Sequence, residues 1–547
     1  MNKSIKNSLL VLLGIAVLNY IAQRSYLRFD LTEDKRYTLS EVSEDLLDSL
    51  DESLYIDVYL QGEFPAEFKR LQIETAQFLD ELQARNGSVN IRFINPDDYR
   101  EDLIKRGMLP SRLTVEEDGK LSEAIIFPWA ELTYGTRRTS VSLLPSTQAK
   151  SQEEQLQQAI EKLEYSFANG IATLLKDQKP SIAVLAGNGE LDDKYLYSLL
   201  SDIRTKYRLA KFTLDSTASN PEKTLKDLRK YDLAFIAKPT ERFSEREKLV
   251  LDQFITHGGK SLWMLDANYS DTDSLYNEGK MMAFPRDLNL TDLLFGYQVR
   301  INNKLIKDLY SAKIPLATGN VGNQSQFQQL PWFYYPLAQA NPYHVITKNV
   351  SPVRFRFTTQ IDTLKGGLQK TPLLVSSPLS KKIGTPKIIE LQSITQEPQQ
   401  RDYSDGPQLL AVLLEGDFAS AYENRIKPFK TQDYLAKGGP NKMIVIADGD
   451  LAKNEMLKGK PMDLAKDKWT GDYYGNKEFL SNAIDYLMDD AGLLPLKNKT
   501  IKVRLLDKKA AYESADTWKL FNIGMPLLLL GLFGFGFNYL RKRKYSN

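Results

Sequence analysis

Ile182-Ala183-Val184-Leu185-Ala186-Gly187-Asn188-Gly189-Glu190 runs from an unbroken apolar stretch directly into a glycine-rich turn. Four apolar residues in a row, entered through Lys179-Pro180 and left through two glycines, read as a short strand buried on both faces. A helix is expected next, over about 194–207, and the cycle then repeats. Leu233-Ala234-Phe235-Ile236 is a second such strand. Ser244-Glu245-Arg246-Glu247 has the spacing of a helix cap and opens a helix that stops at Gly258-Gly259. Ser261-Leu262-Trp263-Met264-Leu265 is a third strand, ending in Asp266, and Met443-Ile444-Val445-Ile446-Ala447 is a later one, ending in Asp448-Gly449-Asp450. Phe479, Ala483, Ile484, Tyr486 and Leu487 mark one face of a last helix. Strands alternating with helices imply a parallel sheet covered on both sides, an α/β fold. Between about 270 and 400 the chain is more polar and richer in Gly and Pro, so loops, short strands and excursions from the sheet are expected there.

Upstream, Leu54-Tyr55-Ile56-Asp57-Val58-Tyr59-Leu60 alternates as a strand. A helix face comes next with Phe68, Leu71, Phe78, Leu79 and Leu82, and then a strand at Val89–Ile94. A short helix ends at Gly107. Leu113-Thr114-Val115 and Ala124-Ile125-Ile126-Phe127 flank Asp118-Gly119 as a hairpin, and Arg137 to Leu143 could add a strand. This β-α-β-α-β-β order resembles a thioredoxin-like fold, but the CxxC pair its chemistry needs is absent. From Ser151-Gln152-Glu153-Glu154, a capping-box sequence, a helix carries Leu156, Ile160, Leu163, Phe167, Ile171 and Leu174 on one stripe and reads as a connector.

The chain has 547 residues, 42% hydrophobic and 26% charged, enough for several globular cores. Lys plus Arg number 72 against 70 Asp plus Glu, so no charge excess points to nucleic acid as a partner. The absence of cysteine removes disulfides, thiolate nucleophiles and Cys-ligated metals. Any imidazole chemistry rests on His257 and His344. Gly258-Gly259-Lys260-Ser261 is not a phosphate loop, because Phe254 stands where the first glycine belongs and a strand comes next instead of a helix.

Both ends are apolar. Lys3 and Lys6 precede the run Leu9 to Leu18, which lacks a clean cleavage site and is expected to be an uncleaved anchor; a cleaved signal peptide is the other reading. Trp518 to Leu540 is long enough to span a bilayer, has Trp518 and Tyr539 at its ends, and is followed by Arg541-Lys542-Arg543-Lys544. The positive-inside rule puts both termini in the cytoplasm and the body outside it, with no cytoplasmic domain to bind ATP.

Several blocks taken together resemble one family: Arg28-Phe29-Asp30-Leu31-Thr32 and Arg36-Tyr37-Thr38-Leu39-Ser40 after an N-terminal anchor, Gly187–Glu190, Phe243–Glu247 before Gly258-Gly259-Lys260, Asp448-Gly449-Asp450, and Gly475-Asn476-Lys477-Glu478-Phe479. The chain is similar throughout to the GldG proteins, gliding-motility-associated subunits of an ABC-type transporter in Bacteroidota. The resemblance implies a central domain akin to class I glutamine amidotransferases, shared with intraflagellar transport proteins. It also implies partnership with a permease subunit and, through it, a cytosolic ATPase. Amidotransferases place a Cys on a sharp elbow. Here Ile236-Ala237-Lys238-Pro239 stands about where that elbow could lie, so amidase activity is not carried over.

The organisation expected is therefore an anchor at 1–24, a thioredoxin-like domain at 25–150, a connector at 151–178 and an amidotransferase-like α/β domain at 179–495. A membrane-proximal linker at 496–517, a transmembrane helix at 518–540 and a basic tail at 541–547 complete it. The expected role is a non-catalytic subunit with its body in the periplasm and its anchors in the inner membrane, without cofactor or resident metal. The alternatives are a pure assembly scaffold of an envelope complex or a hydrolase on an amidotransferase-like fold. Ligand-binding candidates are Gly187, Asn188, Gly189, Glu190, Asp266, Asp448 and Asp450, which sit where open α/β sheets bind ligands. For each, a plain turn is the simpler reading, and the two carboxylates of Asp448-Gly449-Asp450 are thin as a cation site. Gly524, Gly531 and Gly534 share a face of the C-terminal span and are candidates for packing against a permease helix.

Overall fold

The computed structural model describes residues 38–62, 66–117, 120–144, 152–176, 179–270, 272–321, 324–489, 492–497 and 514–545, with Gly14 and Asn19 besides. The N-terminal anchor, the Asp118-Gly119 turn and Ser151 lie outside the described residues.

The first half of the body is built on α1 (Glu41–Asp48), β1 (Leu54–Val58), α2 (Ala66–Arg85) and β2 (Val89–Phe93), followed by β3 (Ser111–Glu117), β4 (Lys120–Ile126), β5 (Trp129–Tyr134) and β6 (Arg137–Ser142). The four-stranded sheet runs β2-β1-β5-β6. β1 and β2 are parallel because α2 crosses between them, and β5 and β6 are antiparallel neighbours. β3 and β4 pair only with each other, Glu117 opposite Lys120. β5 is absent from the sequence reading. Pro128 breaks the apolar run before it, but Ala130, Leu132 and Tyr134 alternate with Glu131 and Thr133 as a strand requires, and Ala130 and Leu132 are fully buried.

The expected connector is two helices, α3 (Gln152–Glu161) and α4 (Leu163–Leu175). Its stripe is core: Leu156, Ile160, Leu163, Phe167, Ile171 and Leu174 pack with Leu54, Ile56, Phe68 and Leu132 from the sheet and α2. Gly170 makes the approach to β6 possible, since a Cβ there would meet Val141 Cγ2 at 2.7 Å.

The second half keeps the alternation: β7 (Ser181–Ala186), α5 (Asp193–Ile203), β8 (Arg208–Thr213), α6 (Pro221–Leu228), β9 (Leu233–Ala237), α7 (Glu245–Thr256) and β10 (Lys260–Met264). Within the polar stretch lie β11 (Ser311–Val321), β12 (Gln324–Ala340) and β13 (Gln369–Val375), and after it come β14 (Leu409–Ala419), β15 (Lys437–Ile446) and α8 (Asn476–Leu487). The sheet runs β8-β7-β9-β10-β15-β14-β13-β12-β11. Its first five strands are parallel and the rest antiparallel. In chain order the parallel part reads 2-1-3-4-5, a doubly wound arrangement whose direction reverses between β7 and β9.

Because side chains alternate along a strand, each parallel strand feeds two cores. Ile182, Val184, Phe235, Leu262 and Ile444 face α5 and α8, while Ala183, Leu185, Ile236, Trp263 and Val445 face α6 and α7. α7 starts with a reciprocal cap: Ser244 Oγ accepts from Glu247 N at 3.3 Å and Glu247 Oε2 accepts from Ser244 N at 2.6 Å.

The 270–400 stretch is more regular than its composition predicts. It carries 17-residue β12, which pairs with β11 over the outer part of its length and reaches β13 only through Gln339 and Ala340. The polar residues Gln326, Gln328 and Gln329 lie in that outer hairpin, while Trp332, Tyr334 and Tyr335 fill a small core of their own.

A final helix, α9 (Ala515–Tyr545), is long and apolar enough to cross a membrane, and none of its apolar window is buried against the rest of the chain.

Candidate functional site

β7, β9, β10 and β15 run the same way, so their carboxyl-terminal turns meet at one edge. After β7 comes Gly187–Glu190, after β9 Lys238, after β10 Asp266, and after β15 Asp448 and Asp450. The carboxyl ends beside the reversal point are where such sheets take ligands.

The turn after β7 needs its glycines. Gly187 has φ 117° and Gly189 φ 72°, and a Cβ on Gly189 would fall 2.0 Å from Thr240 Oγ1. The Asn188 carbonyl accepts from both Thr240 N and Glu241 N at 2.9 Å, tying this turn to the segment after β9. Glu190 folds back so that Oε2 accepts from Asn188 N at 2.8 Å. Its other oxygen is buried with no hydrogen-bond partner among the described residues, and burial raises its pKa.

The three aspartates come together around a residue the sequence reading did not select. Lys238 sits at φ 54°, in the left-handed region, immediately before Pro239. Its ammonium pairs with Asp450 Oδ2 and lies 3.4 Å from Asp266 Oδ2. Asp266 Oδ1 accepts from Gly449 N at 2.6 Å. Asp448, fully buried, accepts from Asp450 N at 2.8 Å and from Arg356 N at 2.6 Å. A Cβ on Gly449 would lie 2.7 Å from Lys238 Cγ and 3.0 Å from Asp266 Cγ, so only glycine lets the strand end this close to the lysine.

Outward from Asp448, Arg356 pairs with Glu455, which is also 3.0 Å from Arg354; Arg354 in turn pairs with Asp467. Val353-Arg354-Phe355-Arg356 could have revealed this pair, because its alternation puts two arginines on the face opposite the buried Val353 and Phe355. Lys238 could have been found by the rule that found Asp266, its place at the end of a parallel strand.

The electrostatics reflect the pairing. Burial opposes the charge on Lys238, but Asp450 and Asp266 outweigh it, and the lysine stays protonated well above its usual range. Burial likewise opposes ionisation of Asp450, but Lys238, Lys453 and Arg356 hold its carboxyl at about 2. Burial pushes Asp266 up against the pull of Lys238, and pushes Asp448 well up with Asp266 and Asp450 adding to it. An ammonium held between carboxylates is neither a nucleophile nor a base. Among the described residues no three His, Cys, Asp or Glu side chains converge as a metal site, and the cation between Asp266 and Asp450 is Lys238 itself. Beside Asp266 and Arg286 is a cavity of about 60 Å³, room for a few waters.

The histidines are elsewhere. His257 caps α7, its Nδ1 2.6 Å from Gln253 O. His344 lies edge-on to Tyr486, with ring centroids 5.3 Å apart, and its Nδ1 accepts from Ile346 N at 3.3 Å. Burial lowers the pKa of His344 from its usual 6.5. A proton then binds the unfolded chain more readily than the fold, so this residue supports the fold above pH 6.5 and the support drains as pH falls below it. Between pH 7.5 and 5.5 the urea midpoint should fall further for the parent than for His344→Gln, and this exchange should leave complementation of a null strain intact.

Gly524, Gly531 and Gly534 all lie on α9, and beyond the helix's own backbone no described atom lies within 4 Å of a Cβ added at any of them. They are remote from the Lys238 edge in sequence and share no contact with it.

Residues 179–483, more than half of the chain, match the family described as an ABC-type uncharacterized transport system. The chain belongs to that family. The matched span holds the whole carboxyl edge, from Gly187 to Asp467. Residues 33–133 match a second family, described as a domain of unknown function. A relative in Borreliella burgdorferi, described as an uncharacterized protein, is 21% identical over 535 residues and covers 94% of each chain. Among solved structures, one titled mmIFT52 N-terminal domain aligns at TM-score 0.32 and 14% identity, over 59% of this chain and 100% of that one, a likeness too slight to build on. Membership in the family makes the chain a transport-associated auxiliary component, and α9 suits it to a membrane.

Proposed function

We propose that this chain is a non-catalytic, membrane-anchored subunit of an ABC-type transporter, related to the GldG proteins and linked to gliding motility. Its body lies on the periplasmic side and engages a ligand or envelope partner at the rim formed by Gly187–Glu190, Asp266, Asp448 and Asp450. A permease is the direct partner and a cytosolic ATPase the indirect one. The body is read as a redox-dead thioredoxin-like unit at 25–150 and an amidotransferase-like unit at 179–495. The strand orders 2-1-5-6 and 2-1-3-4-5 support those two readings.

The observation that carries the non-catalytic reading is Lys238. A nucleophile on a strand-to-helix elbow would need this strained position, and here it is filled by an ammonium neutralised by Asp266 and Asp450. The unpaired oxygen of Glu190 supports engagement of a donor at the rim.

The test is affinity purification of the tagged chain from its own membranes. A multi-span permease should co-purify stoichiometrically. A reporter fused after Asn547 should be active only in the cytoplasm, and one placed at Asp118-Gly119 only outside it. Recovery without a permease would reduce the chain to a scaffold, and two reporters on one side would end the two-anchor arrangement.

A further inference from the structure

We propose that a basic cleft at the opposite, amino edge of the main sheet binds the headgroup phosphates of anionic phospholipids. The cleft encloses about 600 Å³, in the range of small-ligand sites. It is formed where β6 and α4 of the first half meet the strand starts of the second. Arg137, Arg138, Lys176, Lys179 and Lys206 line it, against two carboxylates, Asp485 and Asp489. An adjoining recess adds Arg204 and Arg208. The chain as a whole carries a net charge of only +2, so this is a local concentration of cations.

Both carboxylates are already engaged. Asp485 is 2.7 Å from Lys206 Nζ and accepts from the Tyr207 hydroxyl at 2.9 Å. Asp489 accepts from Leu493 N and Leu494 N at 2.9 and 2.8 Å. Lys179 Nζ donates to Thr205 O at 3.0 Å, which fixes its direction. Arg138, Lys176, Arg204 and Arg208 have no carboxylate partner among the described residues.

Position selects the ligand. The two ends of the body come together beside this cleft: Val42 and Leu46 near the start, and Leu493 and Leu496 near the finish, pack on Ala168 and Ala172 of α4. α4 also forms a wall of the cleft, through Tyr165, Asn169 and Thr173. The described body thus ends at Lys497 beside the cleft, and it is from this side that the chain continues to α9, which argues for a ligand on the membrane. A bounded cleft of this volume suits a phosphate headgroup better than an extended acidic peptide. The inference rests on α9 being a membrane span.

The chain has no cysteine, so Thr173→Cys gives one reporter in the cleft wall. The full chain carrying it is placed in nanodiscs of phosphatidylcholine, with or without phosphatidylglycerol, and the rate of thiol labelling is measured. Labelling should be at least fivefold slower with phosphatidylglycerol, the effect of about one cation near an anionic surface. Adding Arg138→Gln and Lys176→Gln should restore the rate, as should high salt. Equal rates in the two lipids would overturn the proposal. So would equal protection in phosphatidylcholine discs by inorganic phosphate, which would mark a site for free anions, or by polyglutamate, which would mark a site for an acidic protein. Failure to enter nanodiscs would refute the anchor separately. In that event co-flotation with phosphatidylglycerol vesicles decides the cleft: binding lost in the double Gln variant supports it, and no binding overturns it.

Discussion

Lys238→Met should cost the fold about 3–5 kcal/mol at neutral pH, the usual penalty for removing one partner from a buried charge pair. For a protein of ordinary stability that is a large fraction of the total. The exchange keeps the length of the side chain and most of its packing, so the loss is chiefly electrostatic: Asp266 loses its paired ammonium and Asp450 keeps only the more distant Lys453, 3.8 Å away, and Arg356. The pH dependence identifies the cause. In the parent, Asp450 is held at about 2 against its usual 3.8, so its support is present above pH 3.8 and is lost as pH falls toward 2. In the variant the carboxylates repel each other, so acid that protonates one of them should recover stability, and the two unfolding curves should converge as pH drops. A variant as stable as the parent at pH 7, or one whose deficit does not shrink in acid, would show that the lysine is not what holds these strand ends together.

Gly531→Leu with Gly534→Leu should lower recovery of the permease about tenfold or more, while membrane insertion is kept. Helix association in lipid depends on small residues that let backbones approach. On α9, beyond the helix's own backbone, the three glycines have no described atom within 4 Å of an added Cβ, so two leucines extend into space that no described residue occupies. The exchange makes the helix more apolar, so insertion should not suffer. The check is the ratio of permease to chain after purification in mild detergent, with alkali-resistant membrane association measured in parallel. An unchanged ratio would place the contact on another face.

The two exchanges probe parts of the molecule that differ in how readable they were. The parallel strands could be read because burial on both faces leaves a continuous apolar run, as in Ile182–Leu185 and Met443–Ala447, and because each run ends in a turn or an acidic residue. The acidic ends came with them. What holds those ends together is contributed by residues far apart in sequence: Lys238 reaches Asp450 across more than two hundred positions, and Arg356 reaches Asp448 from within the polar stretch. No local pattern records such pairings. β12 was hidden for a different reason: its outer half pairs only with β11, so the polar side chains that suggested a loop are compatible with a strand solvated on its faces. The stripe on α3 and α4 was plain, but periodicity shows that a helix buries a face without saying against what. Gly170 settles the partner by admitting Val141 and Leu132 at contact distance.

The joint at α4 also determines how force would travel. Tension between two tethers normally runs through whatever fold lies between them. Here the first and last described parts of the body are laced to the same helix, so a pull applied to one end against the other meets first the contacts of Val42, Leu46, Leu493 and Leu496 with Ala168 and Ala172. The long sheet hangs outside that line of stress. Load taken up at α4 does not have to pass along the strands, whose register and Lys238 rim are held by contacts of their own.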